Sequence, residues 1–183
     1  MPRQTKIKDS STRTVQSIIQ KISKTPKTNI GFPSISSLTV PNRIEASFNK
    51  MANTYRALYG VENVLRELIR KVLGQRANWW ENYVPNGVQT QVQKTILETP
   101  YHAVQRNDEL EYTHLGQLKE IITFKKNWNN FLPHLNEKNK NSFIATIDKA
   151  IPSRHAIAHC IPLKAKDLKV VEVRFEDILK MIE

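Results

Sequence analysis

The chain has 183 residues, with 28 Lys and Arg against 17 Asp and Glu, a formal charge of +11 and a pI near 9.8. That length predicts one globular domain, and 39% hydrophobic with 25% charged residues is ordinary for a chain that buries a core. No stretch approaches the ~18 to 20 apolar residues of a membrane span, and the single cysteine, Cys160, excludes an internal disulfide or a four-cysteine zinc site and fits a reducing cytoplasm.

The first segment, residues 1–41, reads as a basic flexible arm and linker. Met1 to Lys8 is basic but no apolar run follows it, so no secretory signal is expected. Residues 1–28 hold seven Lys or Arg against one acid, a net of +6, and the remaining residues hold 21 against 16, a net of +5. Such an arm either solubilises the chain, gathers RNA or docks a partner. Residues 1–14 are polar enough to stay disordered. Val15, Ile18, Ile19 and Ile22 then fall at the spacing of a short amphipathic helix. Pro26, Pro33 and Pro41 mark a linker.

The domain is expected over residues 42–183. Asn42 is a suitable N-cap. From it a long helix runs to about Gly74 on a stripe of Ile44, Phe48, Met51, Tyr55, Leu58, Leu65, Leu68, Ile69, Val72 and Leu73, with Gly60 inside it. Pro85 and Asn86 open a helix carrying Val88, Val92 and Ile96 on one face. A polar connection, Pro100 to Tyr112, leads to Thr113, read as the cap of a helix with Leu115, Leu118, Ile121 and Ile122 inside. Trp128, Phe131 and Leu135 extend that apolar face past a break at Pro133. Phe143, Ile144, Ile147 and Ile151 mark another helix, ended by Pro152. Ser153 is then expected to cap a separate segment, Arg154 to Cys160, stopped by Pro162. Asp167 to Glu183 is ambiguous, because Lys169 to Arg174 alternates like a strand. The longer set of Leu168, Val171, Phe175, Ile178, Leu179 and Ile182 favours a helix capped by Asp167. The sum is an all-α, up-and-down helical bundle.

No P-loop, dinucleotide fingerprint, nucleophile elbow or zinc finger is present. The candidate chemistry lies in Arg154-His155-Ala156-Ile157-Ala158-His159. A histidine can take or give the proton when a ribose 2′-hydroxyl attacks the neighbouring phosphate. An arginine can brace the phosphate oxygens as charge builds on them. The nucleophile is in the substrate, so no metal or cofactor is expected, and the products carry a 2′,3′-cyclic phosphate and a 5′-hydroxyl. Spacing of this kind arises about once by chance in a chain with ten arginines and five histidines, so its weight comes from its setting in a basic helical chain. At 100° per residue, Arg154 and His159 stand about 140° apart on an ideal helix. They therefore act together only if Arg154 reaches round, if it lies outside the helix, or if two copies meet at a two-fold axis.

These residues resemble the HEPN superfamily of nucleotide-binding and ribonuclease domains. The likeness rests on three pieces over residues 45–183: Val61 to Ile69 on the long helix, Tyr112 to Ile122 ahead of Trp128 and Phe131, and Arg154 to His159. The resemblance implies a four- to five-helix bundle, a homodimer with its active cleft at the axis, and Arg154 and His159 as the catalytic pair. His155 stands where the family commonly has Asn or another polar residue, and is expected to support His159 or contact phosphate. Gln117 stands where related sequences often carry an acid, and Glu62 is expected to orient Arg154. Many members are toxins or antiviral defence effectors, so an antitoxin or defence-complex partner is implied; others only bind or dimerise.

The same residues admit plainer readings. Arg154 can be a surface cation and His159 a buried structural histidine. His155 and His159, at i and i+4, can hold a metal, though no third ligand beyond Cys160 stands near. Trp79, Trp80 and Trp128 read as packing residues rather than base-stacking platforms. His102, His114 and His134 have no role assigned from the sequence. RNA is the expected partner, and a non-catalytic RNA-binding module or a protein-interaction subunit are the alternatives.

Overall fold

The computed structural model describes residues 41–98, 106 and 108–182, leaving aside the side chains of Arg43 and Asn49. The arm, its short helix and His102 lie outside the described residues. The described chain is helical: α1 Asn42–Leu73, α2 Trp79–Tyr83, α3 Asn86–Glu98, a 3-10 turn Glu109–Tyr112, α4 Leu115–Thr123, α5 Trp128–Phe131 with a 3-10 turn Leu132–His134, α6 Lys140–Ala158 and α7 Ala165–Lys180. The one β feature among the described residues is an isolated antiparallel bridge between Leu135 and Ile182. No described helix is long and apolar enough to cross a membrane.

The long helix α1 packs against α7, α4 and α6, while α6 packs against α4 and α7. Together these four helices enclose the core: Leu65, Ile69 and Leu73 from α1, Leu115, Leu118, Ile121 and Ile122 from α4, Phe143 and Ile147 from α6, and Phe175 and Ile178 from α7. These positions recur every three or four residues, so each helix turns one apolar stripe inward. Val88 and Val92 of α3 and Phe131 of α5 close its sides. Trp79, Trp80 and Trp128 pack against the same cluster.

The stripe of α1 is buried only from Leu58 onward. Ile44, Phe48 and Tyr55, expected on the inner face, are exposed, and Val61, absent from that stripe, is buried. Apolar periodicity gives a helix its face, but a partner must be present along the whole length for that face to be covered.

Five expected boundaries shift. Asn42 does not cap α1; it is the first helical residue, and Pro41 takes the N-cap position with no side-chain cap hydrogen bond. Thr113 does not cap α4. Its hydroxyl donates to the Leu110 carbonyl at 2.5 Å, closing the 3-10 turn, and His114 takes the N-cap position. The apolar run from α4 to Leu135 is not one helix face. The chain leaves helix at Phe124 (ψ 141°), and buried Asn127 turns it by donating to the Ile121 and Tyr83 carbonyls at 2.6 and 2.7 Å. Asp167 lies in the first turn of α7, with Lys164 at the cap. Most consequentially, α6 does not end at Pro152. It runs through that proline to Ala158, so Ser153 caps nothing; its buried Oγ accepts from Arg174 Nη1 at 3.2 Å. Proline lacks the N–H that would bond four residues back and costs about 3 kcal/mol inside a helix. Here the apolar anchors on either side, Ile147, Ala150 and Ile157, keep the helix seated through it.

Candidate functional site

The site starts on α1. Tyr55, Tyr59, Glu62, Asn63 and Arg66 are three or four residues apart and share one helix face. With Leu58 they form one wall of a cleft of about 490 Å³. Arg154 and Ala158 of α6 form the other, and Arg106 and Glu111 border it from the connection before α4. Three arginines and two glutamates therefore face the cleft, beside two exposed tyrosines.

Glu62 organises the charge. Its Oε1 accepts from Arg154 Nε at 3.2 Å and from the Leu115 backbone N–H at 3.0 Å, and its Oε2 accepts from Arg66 Nη2 at 3.0 Å. One carboxylate thus joins α1, the start of α4 and the end of α6. It is 12% exposed, and Arg154 is 21% exposed. Charge pairs at this depth are shielded from water far less than surface pairs. Arg66, 10% exposed, also donates to the carbonyls of Leu110 at 3.2 Å and Thr113 at 2.5 Å. Its guanidinium therefore pins the 3-10 turn onto α1. Arg70, one turn on, clasps Asp108 through two nitrogens at 3.0 and 3.1 Å.

Arg154 is held differently. Among the described residues only its Nε is engaged, its two terminal nitrogens have no hydrogen-bond partner, and the residue lines the cleft. A guanidinium fixed at one edge and bare at the other is ready for an oxyanion, because its donors form a planar fork matched to two oxygens.

Of the other sequence candidates, His155 and His159 are both exposed and neither lines the cleft. His159 is at the C-cap of α6. There the Cys160 N–H bonds the Ile157 carbonyl at 3.0 Å and the Ile161 N–H bonds the Ala156 carbonyl at 2.9 Å, a Schellman closure that places Cys160 at φ 55°. Arg154 and His159 of one chain accordingly point to different sides, as the helical period requires. His159 is not a buried structural histidine and Arg154 is not a plain surface cation. Gln117 does not reach the cleft. It is buried, accepts from the His114 N–H at 3.0 Å and donates to Gln91 Oε1 at 3.0 Å, an α4-capping arrangement. No group of three or more His, Cys, Asp or Glu among the described residues could hold a metal ion.

The residue the sequence left without a role is His114. It is half-buried beside this cluster. Burial, and then the positive charge of Arg154, hold its imidazole below the ordinary value near 6.5; His155 and Arg66 add to the lowering and Glu62 opposes it. The available signal was local: a histidine directly before an apolar helical run, with a glutamine three residues on, is a helix start. Its nearness to Arg154 arises only from the folding of α4 onto α6.

No family profile, curated protein or solved structure matches the chain.

Proposed function

We propose that the protein is a metal-independent endoribonuclease of HEPN type, an up-and-down helical bundle that cuts RNA by 2′-hydroxyl attack on the adjacent phosphate. The observation that carries this reading is Arg154, which lines the cleft and is held at Nε by Glu62, its terminal nitrogens unpartnered among the described residues. That guanidinium holds the non-bridging oxygens of the scissile phosphate and stabilises the charge that builds on them. His159 supplies the proton to the leaving 5′-oxygen, and His155, next to Arg154, contacts phosphate. Because His159 and Arg154 point apart in one chain, they meet across a two-fold axis, where each copy contributes both. The net charge of +11 favours a polyanionic substrate. A cytoplasmic toxin or antiviral defence effector, restrained by an antitoxin or defence-complex partner, is the setting this activity fits.

The exposed position of His159, outside the cleft, favours a second reading: a non-catalytic RNA-binding or dimerisation module using the same arginine. Cleavage of a mixed RNA pool in EDTA separates the two, with wild type run beside Arg154→Ala and His159→Ala. The ribonuclease reading expects cutting by the wild type alone, leaving cyclic-phosphate ends. RNA binding without cutting moves the assignment to the binding module, and equal cutting by all three proteins overturns this site.

A further inference from the structure

We propose that Tyr55 and Tyr59 are base-stacking platforms and that the cleft takes unpaired RNA, with nucleobases laid on the two rings beside the arginine that holds the phosphate. The inference deepens the reading above: it rests on that reading's RNA ligand, and it names the strand state the cleft accepts.

The two tyrosines stand where stacking residues are needed. Both line the cleft, and they are 58% and 60% exposed, so neither is spent on the core. They lie four residues apart on one face of α1, and Glu62, which holds Arg154, follows Tyr59 by three on that face. At 1.5 Å per residue their backbones are about 6 Å apart along the axis, roughly two base-stacking steps of 3.4 Å. Neighbouring unstacked bases can therefore each meet a ring. The cleft volume of about 490 Å³ falls in the range of small-ligand sites, roughly 300 to 1,000 Å³. That suits one or two nucleotides and not a duplex.

Charge decides between the possible occupants. Arg66, Arg106 and Arg154 line the cleft against Glu62 and Glu111. Both carboxylates are already committed to arginines: Glu62 to Arg154 and Arg66, and Glu111 to Arg70 at 3.5 Å. Arg106 is exposed and is steadied by Tyr112, its guanidinium carbon 4.3 Å from that ring's centroid, and by a 3.0 Å bond to the Glu111 carbonyl. Aromatic rings flanked by arginines are the combination that binds single-stranded nucleic acid, with π faces for the bases and cations for the backbone. A paired base has its faces covered by its neighbours in the helix, so the tyrosines select unpaired RNA. The same face of α1 continues outward to Phe48 and Ile44, both exposed, which makes a second copy of the chain the rival occupant. An apolar face laid over the cleft would leave its net positive charge unanswered, whereas phosphate answers it.

The test uses the full chain and a short 2′-O-methyl oligoribonucleotide, which lacks the nucleophile and is not cut. Fluorescence anisotropy compares the single strand with the same sequence annealed to its complement. The single strand is expected to bind more tightly than the duplex. Tyr55→Ala and Tyr59→Ala should each weaken single-strand binding about 5-fold or more, while Tyr59→Phe keeps it. Tyr59→Leu, apolar but without a π face, should bind as weakly as Tyr59→Ala. Removing the base that Tyr59 stacks should weaken binding by the wild type and leave Tyr59→Ala unaffected, a coupling that a structural role does not produce. Ala variants that bind as the wild type does, or a duplex bound as tightly as the single strand, overturn the stacking assignment. So does a dimer that either Ala variant splits with RNA affinity unchanged, which gives this face to a second copy. Cleavage of unmodified RNA by the wild type is scored separately. If the tyrosines stack unpaired RNA and nothing is cut, the ribonuclease reading falls and this assignment stands.

Discussion

Arg154 and Glu62 stand 92 residues apart in the chain and meet at 3.2 Å, Nε to Oε1. The pair closes the cleft between the first and the penultimate long helices. It fixes the arginine by one edge and leaves Glu62 with two further donors, Arg66 Nη2 and the Leu115 N–H. Position and charge of the site therefore depend on one carboxylate.

Glu62→Gln is expected to cost more stability than Arg154→Ala. Neutralising Glu62 leaves two partly buried guanidinium groups without their counter-charge, a loss of about 3 kcal/mol. Removing Arg154 leaves Glu62 bound by Arg66 and Leu115 and costs about 1 kcal/mol. Thermal melts of both variants and of the double variant check this. Additive effects would show that the two side chains do not act as a unit, since contacting partners couple by about 0.5 to 3 kcal/mol.

RNA affinity should fall with salt, and Arg154→Ala and Arg106→Ala should each flatten the slope of log K against log [salt] by about one unit. Both residues line the cleft. Binding to a fluorescent RNA between 50 and 300 mM salt measures it. An unchanged slope in both variants would remove the cleft from the RNA footprint.

His114 makes stability depend on pH. Its folded pKa is depressed by burial and by Arg154, so between that value and the unfolded value near 6.5 the unfolded chain binds more protons. The stabilisation is present above about pH 6.5 and is lost as pH falls through the window below it. Between pH 7.5 and 5.5, Tm should drop further in wild type than in His114→Gln. Equal drops would mean the imidazole charges as easily folded as unfolded.

Two residues along the end of α6 oppose the local backbone. Pro152→Ala restores the donor facing the Asp148 carbonyl and should raise stability by about 1 to 3 kcal/mol. Cys160→Gly relieves the left-handed position at φ 55° and should raise it by about 1 kcal/mol. Denaturant midpoints decide both. A fall in either would show that the native side chain packs better than its backbone cost implies.

The helices and their inner faces were legible because they are local properties. Leu115, Leu118, Ile121 and Ile122 repeat with the helical period and all four are buried. The register of Phe175 and Ile178 likewise fits a helix over the strand-like alternation before it. The break at Pro152 was misjudged for a nonlocal reason: a proline's cost is fixed by its ring, but whether a helix survives it depends on the contacts holding its two ends.

By itself, the amino-acid sequence determined an all-helical chain, its net positive charge and the Arg154–His159 spacing, with the two residues turned about 140° apart by helical geometry. Tertiary structure alone decided which of those residues meet anything. It brought Glu62 to Arg154, left His155 and His159 exposed, sent Gln117 to cap α4 and set His114 beside the arginine. Side-chain periodicity is written within a few turns of one helix, whereas a charge acquires its partner only when helices distant in the chain pack together.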